Sequence, residues 1–294
     1  MSTEHCYLCP EKDDQPKVFF KIDSATFFQC RHCGLVWLEK NKWHASQQQY
    51  YSEQYYSEEY SGRKNLRNLF LYRFKLIKKY FKPQGKILEI GAASGDFLHL
   101  LQDIGYHVYG VELSKRAAEQ AVRNYNLNFF QGTLEEAAFA GNYFDYIVMY
   151  HVLEHVPDPG ATLKEAYRVL KPGGRILIEV PNVRSVDMYS KPLILNALDY
   201  PNHIYGFSRE TLTKLVVDAG FKPVAFESSF PFLFAQFLTK VRHLLKSQGS
   251  SVGTKDGFAV TGRELIEQAK QDSPLKRCVQ RCIPGMKVTI IGEK

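Results

Sequence analysis

The 294-residue chain has no apolar run approaching the ~18 residues that a membrane span requires, and no leader of basic and apolar residues precedes its first cysteine. The first absence argues against an integral membrane protein. The second argues against an oxidising compartment, so disulfides are not expected and a cytoplasmic location is. Charge is not concentrated either: the net charge of +7 is spread along the chain, and its densest patch, Lys78, Lys79, Lys82 and Lys86, reads as a solvated helix face. Without a basic stripe interleaved with stacking aromatics, nucleic acid is disfavoured as a partner, although the basic excess suits a smaller anionic ligand.

What the amino terminus does have is paired cysteines. Cys6-x-x-Cys9 and Cys30-x-x-Cys33, with 20 residues between the pairs, can present four thiolates in a tetrahedral array, the pattern of a zinc ribbon. Zinc is favoured over free or bridged thiols because the expected compartment is reducing. His5 and His32 flank the knuckles and could substitute, yet four cysteines are the simpler set. Four protein ligands leave no open position, so the ion is expected to be structural. Residues 1–48 are too few to hold a core without such a staple. Cys278 and Cys282, one helical turn apart with no matching pair, read as packing residues.

Further on, Lys86 to Gly95 reads K-I-L-E-I-G-A-A-S-G, and a second apolar run, Y-H-V-Y-G-V-E, ends at Glu112. An apolar strand, a glycine turn, a helix and an acid about 20 positions past the first glycine make one nucleoside-binding half of a doubly wound sheet. Gly91 and Gly95 allow the tight turn, the helix from about Asp96 offers free N–H groups to a carboxylate, and Glu112 can accept both ribose hydroxyls. A dinucleotide fingerprint wants G-x-G-x-x-G, but Ala93 and Asp96 stand at its second and third glycines, so NAD is disfavoured. The run resembles motif I of the class I S-adenosylmethionine-dependent methyltransferases, with Glu89 opening E-x-G-x-x-x-G. That resemblance covers roughly residues 66 to 230. It implies an α/β fold with a doubly wound, Rossmann-like sheet of seven strands, and S-adenosylmethionine held by Glu89, Gly91, Ala92, Gly95, Glu112 and Leu113.

Ser114 suits the N-cap of the next helix, and N-F-F-Q reads as a third strand ending at Gln131. The family usually holds adenine through an Asp after the following glycine. Thr133 occupies that place, so Thr133 or the Leu134 backbone is expected to substitute. A fourth strand, Tyr143 to Met149, leads into H-V-L-E-H-V-P-D-P. Pro159 starts a helix to Leu170, K-P-G-G turns the chain, and R-I-L-I-E-V forms the fifth strand. The pairing of V-L-E-H-V-P-D-P with L-K-P-G-G is similar to the small-molecule methyltransferases of ubiquinone-type and sugar-modifying groups. His151-x-x-Glu154-His155 also matches an inverted zinc-protease pattern, but that motif needs both histidines on one helix face, and here Pro157 and Pro159 close a turn. His151 and His155 leave the carboxyl end of a strand, where either can face a ligand, His151 on the cofactor side. A loop hydrogen bond is the plain alternative for His155.

The order of parts resembles the zinc-ribbon sugar C-methyltransferases: cysteine pairs, a tyrosine segment from Tyr50 to Tyr60, the core, then a histidine loop. The tyrosine segment corresponds to their lid, with ring packing on the core as its plainer role. Their loop carries Tyr-x-Glu-His, whereas D-Y-P-N-H retains Tyr200 and His203 and has Asn202 for the glutamate. Losing that carboxylate weakens proton abstraction beside a carbonyl and favours O-transfer, in which His203 or His155 takes or orients a hydroxyl proton. The division expected is a zinc ribbon (1–48), a tyrosine-rich linker or lid (49–65), the core (66–230), a helical insertion (231–285) and a final antiparallel strand (286–294). The insertion's P-F-L-F-A-Q-F-L-T-K-V-R-H-L-L-K suits a substrate cap or dimer face and leaves peripheral membrane contact open. The expected activity is methyl transfer to a small polar acceptor, a nucleotide-linked or glycolipid-precursor sugar, with O-methylation preferred and His203, His155 and Tyr200 as catalytic or positioning residues. The rivals are sugar C-transfer, an rRNA or tRNA base methyltransferase, and a non-catalytic binding module. The absence of N-P-P-Y argues against the base enzyme, and intact Gly91, Gly95 and Glu112 argue against the module.

Overall fold

A computed structural model describes residues 5–11, 15–22, 25–43, 66–184, 198–229 and 287–294. The tyrosine segment 49–65 and the insertion 231–285, with Cys278 and Cys282, lie outside the described residues. In chain order the elements begin with β1 (Lys17–Ile22), β2 (Ala25–Gln29) and β3 (Val36–Leu38), followed by α1 (Leu66–Tyr80), β4 (Lys86–Ile90), α2 (Asp96–Asp103) and β5 (His107–Glu112). Next come α3 (Lys115–Tyr125), β6 (Asn128–Gln131), β7 (Phe144–Tyr150), α4 (Pro159–Val169) and β8 (Leu170–Pro181). The described chain closes with β9 (Tyr205–Gly206), α5 (Arg209–Asp218), β10 (Lys222–Ser229) and β11 (Lys287–Glu293).

The central strands carry unbroken apolar runs because helices cover both faces of the sheet. Ile87, Leu88, Ile147, Val148, Met149, Ile176, Leu177 and Ile178 are all fully buried. Helix starts follow local chemistry. Ser114 Oγ accepts from Ala117 N–H, Asp158 caps α4 ahead of Pro159, and Ser208 and Thr211 cap α5 reciprocally. The large sheet runs β10-β11-β8-β7-β4-β5-β6, parallel from β8 to β6 and antiparallel at β11. Strand order reverses at β4, with β5 and β6 to one side and β7 and β8 to the other. The ligand crevice of such a sheet lies beyond the carboxyl ends of β4 and its neighbours.

K-P-G-G turns the chain as expected: Gly173 has φ +72°, and the pairing with β7 jumps from Phe144 opposite Leu170 to Tyr146 opposite Arg175. The turn lies inside β8 rather than before it, pinned by Gly173 N–H donating to Lys294 O and Lys294 N–H donating to Gly174 O, each at 3.1 Å. One feature departs from the sequence reading: the loop after β8 does not belong to the core alone. Tyr205–Gly206 joins the amino-terminal strands as β9, giving a four-stranded sheet β1-β2-β3-β9 with Trp37 opposite Tyr205 and Val36 opposite Gly206. The backbone at Gly206 approaches so closely that a Cβ there would stand 2.6 Å from Val183 Cγ1 and 3.2 Å from Val36 Cβ. Tyr7 adds a second tie, its hydroxyl hydrogen-bonding Asp158 and accepting from Gly160 N–H at the start of α4.

Candidate functional site

The turn after β4 forms the first wall of the crevice. Gly91 and Ala92 donate their N–H groups to Val111 O at 2.9 and 3.1 Å, tying the turn to β5. Gly91 has φ +71°, and a Cβ on it would meet Val152 Cγ2 at 2.6 Å, so both conformation and space demand glycine. Gly95 caps α2 in the left-handed region, and Asp96 behind it is held by Ser94 and Tyr125. At the end of β5, Glu112 accepts from Ala93 N–H and Ser114 N–H, both at 2.9 Å. Two amides fix the carboxylate while each oxygen keeps a lone pair, an arrangement suited to a vicinal diol. Burial raises the Glu112 pKa, and the amides pull it back. Leu113 beside it is exposed. Thr133 N–H donates to Glu136 Oε2 and Thr133 Oγ1 accepts from Glu136 N–H, so its side chain shapes the β6 loop; Leu134 is buried beneath.

Under this turn lies a cluster that spacing along the chain did not reveal. Arg73 of α1 stands 3.8 Å from Glu89 Oε1 and 4.0 Å over the Tyr150 ring. Burial pushes the Glu89 carboxyl up to about 8, against the pull of Arg73. Arg73 Nε, Glu89 Oε2 and Tyr150 OH are buried without hydrogen-bond partners among the described residues. Buried polar atoms are ordinarily paired. Three orphans beneath a nucleoside-type turn fit a ligand with a zwitterionic amino-acid end, whose carboxylate and ammonium would supply the missing partners.

The opposite wall is built by the turn after β7 and the loop before β9. Leu153–His155 form a single 3₁₀ turn, and Ile204 N–H donates to Glu154 O at 2.8 Å, joining the two segments. His155 and His203 meet edge to face with ring centroids 4.7 Å apart, both buried. His155 Nδ1 lies 2.9 Å from Asn202 O, which fixes the proton on Nδ1 and leaves Nε2 its lone pair. Burial, helped by His203, drives the His155 pKa down to about 3, so its ring is neutral. Glu154 is completely buried; burial opposes its ionisation, but the hydrogen bond from His151 and the nearby histidines outweigh it and hold the carboxyl at about 2. His151, with φ +58°, sets Nδ1 3.0 Å from Glu154 Oε1 and Nε2 3.5 Å from Glu179 Oε1. Glu179 in turn accepts from Lys287 and Thr289 of β11.

Thus His203 and His155 lie side by side, His151 is linked to them through Glu154, and the two histidines of H-x-x-E-H do not converge on one point. Tyr200 stands apart, its ring edge-on to Phe27 of the small sheet at 6.5 Å. A carboxylate does sit at the histidine pair despite Asn202, and it is Glu154 from another element. Neither Glu154 nor Arg73 could be assigned by local spacing, since each gains its role from elements distant in sequence.

At the amino terminus, the turns Cys9 N–H to Cys6 O and Gly34 N–H to Cys30 O fold the two knuckles toward each other. The sulfurs of Cys6, Cys9, Cys30 and Cys33 all lie within 4.8 Å of one another, with Cys6 and Cys33 at 3.6 Å. A Zn–S bond of about 2.3 Å implies sulfur separations of about 3.8 Å in a tetrahedron, so the donor set fits zinc. Hydrogen bonds from Cys6 hold Cys33 down at about 5, whereas the same pairing pushes Cys6 up and burial raises Cys9 to about 12.

Comparison with known proteins matches residues 61–225 to a family model described as a methyltransferase domain. The chain is 31% identical over 173 residues to the ubiquinone/menaquinone biosynthesis C-methyltransferase of Shewanella frigidimarina, covering 49% of this chain and 68% of that one. It is 33% identical over 106 residues to the ubiquinone biosynthesis O-methyltransferase of Aeromonas salmonicida, covering 33% and 43%. Among solved structures, a Thermotoga maritima S-adenosylmethionine-dependent methyltransferase, described as a possible histamine N-methyltransferase, aligns with a TM-score of 0.53 at 26% identity, covering 86% and 99%.

Proposed function

Because the chain belongs to the methyltransferase-domain family and is an S-adenosylmethionine-dependent methyltransferase of class I fold, we propose that it methylates an oxygen of a small polar acceptor, a sugar derivative, at the His155–His203 pair. Bound S-adenosylmethionine supplies an electrophilic methyl on its sulfonium. Glu112 would hold its ribose hydroxyls, Leu113 and the Thr133–Leu134 loop its adenine, and the Gly91–Gly95 turn with Arg73 its amino-acid end. The four cysteines would hold one structural zinc that keeps the ribbon folded against the core.

The observation that carries the oxygen assignment is the histidine pair itself. Nε2 of neutral His155 can accept a hydrogen bond from an acceptor hydroxyl, and His203 beside it can orient or deprotonate the same hydroxyl, at the end of the sheet where the switch in strand order is expected to open the crevice. O-transfer needs only such a hydrogen-bond acceptor and alignment with the methyl. One observation favours carbon instead: Glu154 restores a carboxylate beside both histidines. The relatives offer no choice, since one is named for C-transfer and another for O-transfer.

The test is turnover on a panel of nucleotide-linked sugars and glycolipid precursors with isotopically labelled methyl, the methylated atom being assigned by NMR. A carbon-bound label would replace the oxygen assignment. On the acceptor so found, His203→Ala should lower turnover by about 10²–10⁴, the usual cost of losing a group that takes or orients the transferred proton, with S-adenosylmethionine affinity unchanged. Near-normal turnover in both His203→Ala and His155→Ala would reduce the pair to loop structure.

A further inference from the structure

We propose that Glu154, His155 and His203 together bind a divalent transition-metal ion, separate from the ribbon site, and that this ion is what holds and activates the acceptor oxygen. The proposal rests on the reading of the histidine pair as the acceptor site, and goes beyond it by placing a metal ion, in place of a direct hydrogen bond to His155 Nε2, between that pair and the acceptor. One ligand atom from each of the three residues lies within 4.8 Å of the others, and all three side chains are buried. Ligand atoms around a tetrahedral zinc ion bound at about 2.0–2.2 Å stand about 3.3–3.6 Å apart, a spacing that small side-chain shifts bring within reach of this triangle.

Two further observations point to an ion rather than to a plain hydrogen-bonded cluster. Glu154 Oε2 is buried with no hydrogen-bond partner among the described residues, an orphan acceptor beside two imidazoles. Two of the three residues are also oriented by a hydrogen bond: His151 Nδ1 lies 3.0 Å from Glu154 Oε1, and His155 Nδ1 lies 2.9 Å from Asn202 O. Partners on the far side of each ligand are the usual support of metal-binding histidines and carboxylates. Two imidazoles and one carboxylate select zinc-class ions over magnesium or calcium, and three protein ligands leave a position open. An acceptor hydroxyl entering that position would lose its proton to water, the oxygen keeping the O–H electron pair and sharing it with the ion. No electron is exchanged with the metal in that step.

Zinc is the probe. Full-length protein is dialysed against zinc, freed of excess, and its metal counted per chain. His203→Ala and Glu154→Gln should each hold one zinc fewer than the wild type while still binding S-adenosylmethionine. His151→Ala, which leaves the three ligands in place, should weaken the same ion by about 10–100-fold. A count that neither ligand substitution lowers overturns the proposal. Should a variant lose its fold, zinc-edge X-ray absorption on the wild type decides alone: mixed sulfur and nitrogen or oxygen neighbours support a second site, and sulfur neighbours only overturn it. Loss of turnover in His203→Ala without loss of an ion leaves the acceptor site standing and removes the metal. Loss of an ion with normal turnover overturns the ion's assignment to the acceptor oxygen.

Discussion

Glu89 is buried within a strand, and burial lifts its carboxyl to about 8, so the native chain binds a proton there far more tightly than the unfolded chain does. A carboxyl whose pKa rises on folding stabilises the native state below its unfolded pKa and loses that contribution as pH climbs through the folded value. Stability without ligand should therefore fall from about pH 5 to above pH 8, by about 3–5 kcal/mol from this group. Urea midpoints across that range should slope downward for the wild type and be flatter for Glu89→Gln; parallel slopes would clear Glu89 of the effect. Glu112 makes a different prediction. Its carboxylate is already fixed by two amides, so Glu112→Ala should weaken S-adenosylmethionine binding by about 1–3 kcal/mol in calorimetry. Glu112, Gly91 and Gly95 were legible in the sequence because their spacing is local: strand, turn, helix and acid fall within one βαβ unit. Arg73, Glu154 and Glu179 were not, because what makes them unusual is burial among partners 16, 49 and 108 residues away, Glu89, His203 and Lys287.

At the scale of elements, helix starts were readable from single capping residues and the strands from continuous apolar runs. K-P-G-G has the composition of a turn and makes one, with Gly173 at φ +72° and Lys294 pairing with its backbone. What escaped was an element that borrows its hydrogen bonds from another. A two-residue strand such as β9 has no periodicity to read, and its existence depends wholly on the edge that β3 offers. That seam has no spare room at Gly206, so Gly206→Ala should force Val36 and Val183 apart and destabilise the protein by about 1–3 kcal/mol. Both tryptophans of the chain, Trp37 and Trp43, sit at this seam, and Trp43 lies edge-on to Tyr205. Tryptophan emission during urea unfolding should report the ribbon directly, with the midpoint of Gly206→Ala below that of the wild type. Coincident curves would mean that the seam relaxes without cost.

Across the whole molecule, the cysteine cluster, the small sheet and the histidine loop form one mechanical path. Cys30 N–H donates to Leu35 O, β3 follows, Leu38 N–H donates to Ile204 O, and Ile204 N–H donates to Glu154 O. Removing ribbon metal with a chelator should accordingly abolish turnover while leaving S-adenosylmethionine affinity within about twofold, because Glu112 ends β5, on the other side of β4 from β7 and the turn that Ile204 joins. Equal loss of both would show the ribbon to be a general fold requirement. No helix among the described residues is long and apolar enough to cross a membrane. The pairing of Trp37 with Tyr205 also sets a timetable for synthesis. Those partners are 205 − 37 = 168 positions apart. At about 5–20 residues per second, a ribosome needs about 8–34 s to deliver the second after the first. For that interval the nascent ribbon displays an open strand edge flanked by Trp37, the kind of surface that recruits stray strands or a chaperone.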